Sequence, residues 1–139
     1  MRIFEDEGVD LNRVYVGHSN DTTDTEYLIG LLEKGVWIGL DRYPGRKTDL
    51  TPDWEGRTET AWKLIQAGWG RRIMLGHDWS VTLSIASEEM QEQRRQYNPD
   101  GYLFITRRVI PRLRDLGAAA EDIDNIFIDN PRRFFAGER

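Results

Sequence analysis

A chain of 139 residues with 24 acidic and 19 basic side chains, and so a formal charge of −5, is one domain's worth of sequence. Its acidic balance excludes a general nucleic-acid binder, which needs a basic patch. The absence of cysteine excludes disulfides, thiolate zinc sites and cysteine nucleophiles and suits a cytoplasmic protein. No run approaches 18 apolar residues, so no membrane span is expected, and the opening MRIFEDEGVD is too acidic for a signal peptide.

The chain opens inside a helical pattern, with Ile3 and Phe4, then Glu5, Asp6 and Glu7, then Gly8 as a stop and no cap in front. Three runs rich in strand formers follow, at 13–19 (RVYVGHS), 36–43 (VWIGLDRY) and 71–79 (RRIMLGHDW). Each is succeeded by a helical pattern. Over 25–34, Leu28, Leu31 and Leu32 lie at helical spacing, with Gly35 as the stop. Ala61, Trp62, Ile65 and Trp69 mark one side of 58–69. Residues 102–116 carry Phe104, Ile105, Val109, Ile110, Leu113 and Leu116, with Pro111 arguing for a kink or break. A last pattern over 121–128 carries Ile123, Ile126 and Phe127. Asn130 and Pro131 then read as an N-cap followed by proline at the first helical position. Strand and helix in alternation predict an α/β fold with a parallel sheet. Two long connections, 44–57 and 80–100, follow strand ends, where such folds build their sites.

Polar residues recur at those strand ends: His18 after the first, Asp41 and Arg42 after the second, His77 and Asp78 after the third. They converge on one face of a parallel sheet, where imidazole and carboxylate are suited to a divalent metal. His77 and Asp78 face opposite ways, so only one reaches a common site, and alternation alone does not choose. A histidine after a strand is more often a cap or a supporting residue, an aspartate there is usually an N-cap, and the five tryptophans are mostly core by default. Three polar strand ends beside two long loops exceed what capping requires. No P-loop, GxGxxG, GxSxG or HExxH is present.

The stretches GHSNDTTDTEYLIGLLEKGVWIGLDRY, RRIMLGHDW, YLFITRRVIPRLRDLG and NPRRFF resemble the phosphotriesterase family of the amidohydrolase superfamily, and within it the lactonase-like members. The resemblance implies a TIM (β/α)8 barrel with a two-metal centre, of which residues 1–139 form a single partial domain, the C-terminal part, strands six to eight with their helices. It implies that His18 ligates the more exposed metal and that Asp78 ligates the other and takes a proton. Asp21 then passes that proton towards solvent. Arg42 and Tyr43, in LDRY, and Trp79 with the connection 80–100 lie against the substrate, while His77 points away. Arg42 is the reason for preferring lactones, with phosphotriesters as a side activity. The implied cofactor is a divalent metal, zinc first and cobalt, iron or manganese otherwise.

The family's His-x-His, its carboxylated lysine and a further histidine are absent from this sequence. Two ligands make a weak, open site. The expectation is therefore a fragment inactive by itself. Its partners are the N-terminal part of the barrel or a second copy, and a lactone or organophosphate ester, with neither nucleic acid nor membrane. The other reading is a non-catalytic half-barrel with a structural or assembly role, because three strands cannot close a barrel and leave edges exposed.

Overall fold

The computed structural model describes residues 2–80 and 85–138. Residues 81–84, within the connection expected over 80–100, and Met1 lie outside that description. The first helix, α1 (Arg2–Asp6), buries none of its side chains. The expected alternation follows as β1 (Tyr15–Val16), α2 (Thr25–Leu32), β2 (Trp37–Leu40), α3 (Trp54–Leu64) and β3 (Ile73–Leu75). The strands are parallel in the order β1–β2–β3, with Val16 beside Ile38 and Ile38 beside Ile73. The strands are shorter than the apolar runs that announced them. His18 and Asp78 take positive φ, 59° and 45°, which ends the extended backbone and turns the chain at the mouth of the sheet.

Carboxylates start the two crossover helices. Asp24 accepts the Tyr27 N–H at 3.0 Å ahead of α2, and Asp53 accepts the Gly56 N–H at 2.9 Å ahead of α3. The Asp53 cap starts α3 four residues earlier than the apolar spacing announces, which shortens the connection expected over 44–57. Leu28 and Leu32 of α2 and Ala61 and Leu64 of α3 pack on Ile38, Leu40 and Ile73 of the sheet to form the core. On the other face Trp37 meets Phe134 edge-on, with Arg72 stacked over its ring.

The connection expected over 80–100 contains a helix, α4 (Glu88–Tyr97). It is held by the Ser87 hydroxyl, which accepts the Met90 N–H, by Glu88 and Glu89 in its first turn and by Arg94 and Arg95 in its last. None of its residues is buried, so it offers no apolar stripe for a periodicity reading to find.

Beyond it, a π-helical segment over Ile105–Val109 runs directly into α5 (Ile110–Leu116). The helix therefore runs through Pro111 without a break, and the π-helical turn just ahead of it accommodates the residue that lacks an N–H. The sequence closes with α6 (Ala120–Asp124), a second π-helical segment over Asn125–Asp129, and α7 (Asn130–Ala136). Here Asn130 departs from the N-cap role. It sits in helical backbone with no side-chain cap bond, and its fully buried amide donates instead to the carbonyls of Gly70 and Ile73.

Asp100 ties the end of the α4 region to the next helix, accepting from Arg108 at 2.9 Å and Arg107 at 3.0 Å. These bonds, Arg108 first, hold its carboxyl below the usual carboxylate range. A carboxyl whose pKa falls on folding contributes stability above its unfolded value, near 3.9, and loses it as pH falls through the folded value. Asp100→Asn is therefore expected to lower the Tm above about pH 4 and to melt with the wild type in stronger acid. A Tm gap that persists unchanged down to acid would contradict this. Among the described residues no helix is long and apolar enough to cross a membrane.

Candidate functional site

The three strand ends meet around the Asp41 carboxylate. It accepts the His18 backbone N–H at 2.6 Å and the Tyr15 hydroxyl at 3.1 Å, and lies 3.0 Å from His18 Nδ1. Neighbouring glycines make room for it. A Cβ at Gly17 would come within 3.1 Å of the Asp41 carboxylate and one at Gly76 within 3.0 Å of its Cβ, while one at Gly39 would overlap the Tyr15 ring. The repeated glycine before each polar strand end is thus a steric requirement of the residues gathered there. Burial, then the charge of Asp41, pushes the Tyr15 phenol up, so it stays a hydroxyl donor to Asp41.

With Nδ1 donating to Asp41, the His18 ring presents Nε2 outward, 3.8 Å from Asp78 Oδ2. This is the arrangement that prepares an imidazole for a metal: one nitrogen fixed by a carboxylate, the other lone pair facing a second acidic group. Two donors at roughly 2.1 Å from one ion span up to about 4 Å, so His18 and Asp78 fit two positions of a metal shell. They fit only part of one. Among the described residues no group of three or more His, Cys, Asp or Glu side chains comes together to hold an ion.

Behind these donors runs a charged relay. Arg42 Nε lies 3.5 Å from Asp78 Oδ2, and Arg42 NH1 donates to Asp21 Oδ2 at 3.0 Å. Asp21 Oδ1 accepts in turn from Arg57 NH1 at 2.7 Å. Arg57 comes from α3 and is buried, and its guanidinium also serves the Asn20 and Pro52 carbonyls. Asn20 holds the Arg42 backbone, accepting its N–H at 3.1 Å and donating back to its carbonyl. Sequence reading singled out His18, Asp21, Arg42 and Asp78, which lie together here. It passed over Arg57 and Asn20 and gave Asp41 no role. The signal for Arg57 was an arginine in the first turn of a helix beside a glycine-containing loop; Gly45 leaves the space that the guanidinium fills.

His77 turns away from this centre. Its Nε2 accepts the Ile105 N–H at 3.4 Å and its ring meets Tyr102 edge-on. Burial lowers its pKa, which keeps the ring neutral as an acceptor. Tyr43 lines the neighbouring cleft, but its side chain is fully buried in the core, and burial pushes its phenol up. Trp79 stands on the cleft wall with Arg94 stacked over its ring at 4.7 Å. The cleft, of about 400 Å3, runs from Asp21, Arg42 and Asp78 out to the loop after β2 and the inner side of α4. Tyr97 of α4 donates its hydroxyl to the Gly45 carbonyl and Arg94 donates to the Ser80 carbonyl at 3.3 Å, so α4 is fastened to both loops.

The model of the phosphotriesterase family matches residues 1–135. An aryldialkylphosphatase of Saccharolobus solfataricus is 33% identical over 136 residues, covering 98% of this chain and 42% of that protein. The N-acetyltaurine hydrolase of Dictyostelium discoideum is 31% identical, covering 96% of this chain and 36% of that protein. Among solved structures, the phosphotriesterase from Mycobacterium tuberculosis superposes with a TM-score of 0.85 at 34% identity, over 96% of this chain and 40% of that one. The chain thus spans about two fifths of the length of the relatives it matches.

Proposed function

The chain belongs to the phosphotriesterase family, and on that premise we propose that it is the C-terminal part, strands six to eight, of a (β/α)8 metal-dependent hydrolase acting on lactones, with phosphotriesters as a side activity. The observation that carries this reading is His18, fixed by Asp41 through Nδ1 and presenting Nε2 to Asp78 at 3.8 Å. His18 and Asp78 would hold divalent metal, zinc first and cobalt, iron or manganese otherwise. Such a metal, when bound, lowers the pKa of a water and polarises a carbonyl or phosphoryl oxygen.

The remaining roles belong to the chain's own residues. Asp78 accepts a proton at Oδ2, the oxygen that lies 3.5 Å from Arg42 Nε. Asp21, partly exposed, passes the proton towards solvent, while Arg42, which keeps its own protons, holds the two carboxylates in place. Arg42 and Trp79 orient the substrate from two walls, and Tyr43 shapes the floor from within the core. Among the described residues β1 and β3 each pair on one side only, which supports partnership with the other strands of a barrel, in a longer polypeptide or a second chain. A cysteine-free chain suits the cytoplasm. A second reading, a non-catalytic half-barrel, draws on one observation: among the described residues the two donors stand without a third.

A cobalt(II) titration of the chain, followed by visible absorption and calorimetry, decides between them. Weak binding is expected, reduced about tenfold or more by His18→Ala or Asp78→Asn, and 10–100-fold in round terms, about the effect of losing an orienting carboxylate, by Asp41→Asn. Equal affinity in all three variants would defeat the metal reading and leave the half-barrel.

A further inference from the structure

The Asp41 carboxylate divides its two oxygens between two tasks. Oδ1 serves His18, accepting its backbone N–H at 2.6 Å and lying 3.0 Å from Nδ1 of its ring. Oδ2 accepts the Tyr15 hydroxyl at 3.1 Å. The division matters because the last torsion of an aspartate is soft, with a broad, two-fold preference. Bonds at Oδ1 alone leave the carboxylate free to rock about its own axis. A donor at Oδ2 fixes its plane, and with it the direction from which Nδ1 is held.

The Tyr15 ring is itself held in place. Tyr15 opens β1 beside Trp37 of β2. Its ring lies across the neighbouring strand over Gly39, where any Cβ would overlap it. A glycine inside a strand weakens the strand and marks a close approach by another group; here that group is the phenol. The same ring meets Phe134 of α7, with centres 5.9 Å apart and planes tilted by 52°. The buried Asn130 amide in turn ties α7 to the residues around the start of β3. A phenol braced between a bare glycine and an aromatic ring delivers its hydroxyl to one place.

We propose that Tyr15 is a positioning residue for the metal-binding imidazole: its hydroxyl pins the Asp41 carboxylate, so that Oδ1 fixes the tautomer and the plane of the His18 ring. It acts through Asp41 and not on the ion. The consequence for metal rests on the hydrolase reading above; the tautomer that Tyr15 imposes does not.

The test uses the whole chain, free of metal, and nitrogen-15 spectra of its imidazoles. The sequence holds two histidines, and His77, which bonds to Ile105 away from this network, is the internal control. At about pH 9, above the imidazole range, the wild type is expected to hold His18 as the Nδ1–H tautomer, the reverse of what a free imidazole prefers in water. Tyr15→Phe keeps the ring over Gly39 and loses only a hydroxyl bonded to a partly exposed carboxylate, so the fold is retained. It should raise the ratio of Nε2–H to Nδ1–H about twofold or more, the low end for losing one hydrogen bond. Cobalt(II) affinity should fall roughly threefold to tenfold, less than for the orienting carboxylate itself, because Tyr15 stands one bond further out. Tyr15→Ile, a strand former with neither ring nor hydroxyl, should shift the tautomer as far. His77 should not change in either variant. An Nε2–H tautomer in the wild type, or a ratio unmoved by Tyr15→Phe, would overturn the inference. A ratio moved by Tyr15→Ile alone would do the same, since the ring would then matter and the hydroxyl would not. Failure of every form to bind cobalt would remove the metal reading, with the tautomer still deciding for or against Tyr15. Cobalt binding with an unmoved tautomer would remove the role of Tyr15 and leave the metal reading.

Discussion

Arg57→Met is expected to lower the folding stability of this chain by about 3 kcal/mol, the low end for removing one partner of a buried ion pair. The guanidinium is buried and serves three acceptors, the Asn20 carbonyl at 2.6 Å, Asp21 Oδ1 at 2.7 Å and the Pro52 carbonyl at 3.1 Å. Asp21 is partly exposed, so water recovers some of its loss and the upper end of the range is not reached. The carbonyl of fully buried Asn20 has no such recourse. Arg57→Lys supplies one compact charge where a planar fork is needed and should recover only part of the stability. Urea denaturation reads the effect as a shift of the midpoint at unchanged slope. A loss below about 1 kcal/mol would place the pair among ordinary surface ion pairs.

The effect also reaches the site. Arg57 anchors Asp21, and Asp21 anchors Arg42 beside Asp78. A cycle of Arg57→Met and Asp21→Asn should be strongly non-additive, since each removes the other's partner.

Asn130→Ala should cost about the same, roughly 3 kcal/mol, by a different route. The buried amide gives its two hydrogens to the Gly70 carbonyl at 2.8 Å and the Ile73 carbonyl at 2.7 Å, the residues that lead into and begin β3. Alanine leaves both acceptors unsatisfied beside a small void. Asn130→Asp has nearly the same shape and should be worse at neutral pH, because a carboxylate would face two carbonyl oxygens. Its folded pKa would lie above the unfolded one, so the variant should gain stability as pH falls. Melting of both variants between pH 4 and 8 checks this. An aspartate variant as stable as the wild type at pH 7 would show that the carbonyls find other donors.

The two residues show where a sequence is readable and where it is not. The alternation of strands and helices was legible because Leu28, Leu32, Ile38, Leu40, Ala61 and Leu64 each sit on a face buried in the core. Asn130 beside Pro131 carried the right residue types for a cap. Its amide is used sixty residues back along the chain, and no local rule reports that. The helix α4 was missed because it buries nothing. The π-helical segments before α5 and α7 each add a residue to a turn inside the helical patterns read over 102–116 and 121–128, a detail that apolar spacing does not report. In the site, His18, Arg42 and Asp78 were visible because they end strands or follow them, while Asp21, and the choice of Asp78 over His77, came from the family resemblance. Asp41 was seen as a strand-end acid but had no role until Tyr15 and His18 were found converging on it. Arg57 read only as the last residue of the connection expected over 44–57, and its role showed once the loop around Gly45 was placed over it.

The left-handed backbone at His18 and Asp78 decides which mutants at these positions are informative. Histidine, asparagine and aspartate tolerate that conformation far better than β-branched or bulky side chains. Asp78→Asn and His18→Asn therefore alter chemistry while leaving the turn intact. Asp78→Val or His18→Ile would refold the turn as well, and lost activity there would say nothing about ligands. A laboratory selection for new substrates would meet the same restriction, so variation would accumulate along α4 at positions other than Arg94 and Tyr97, which fasten that helix to the loops.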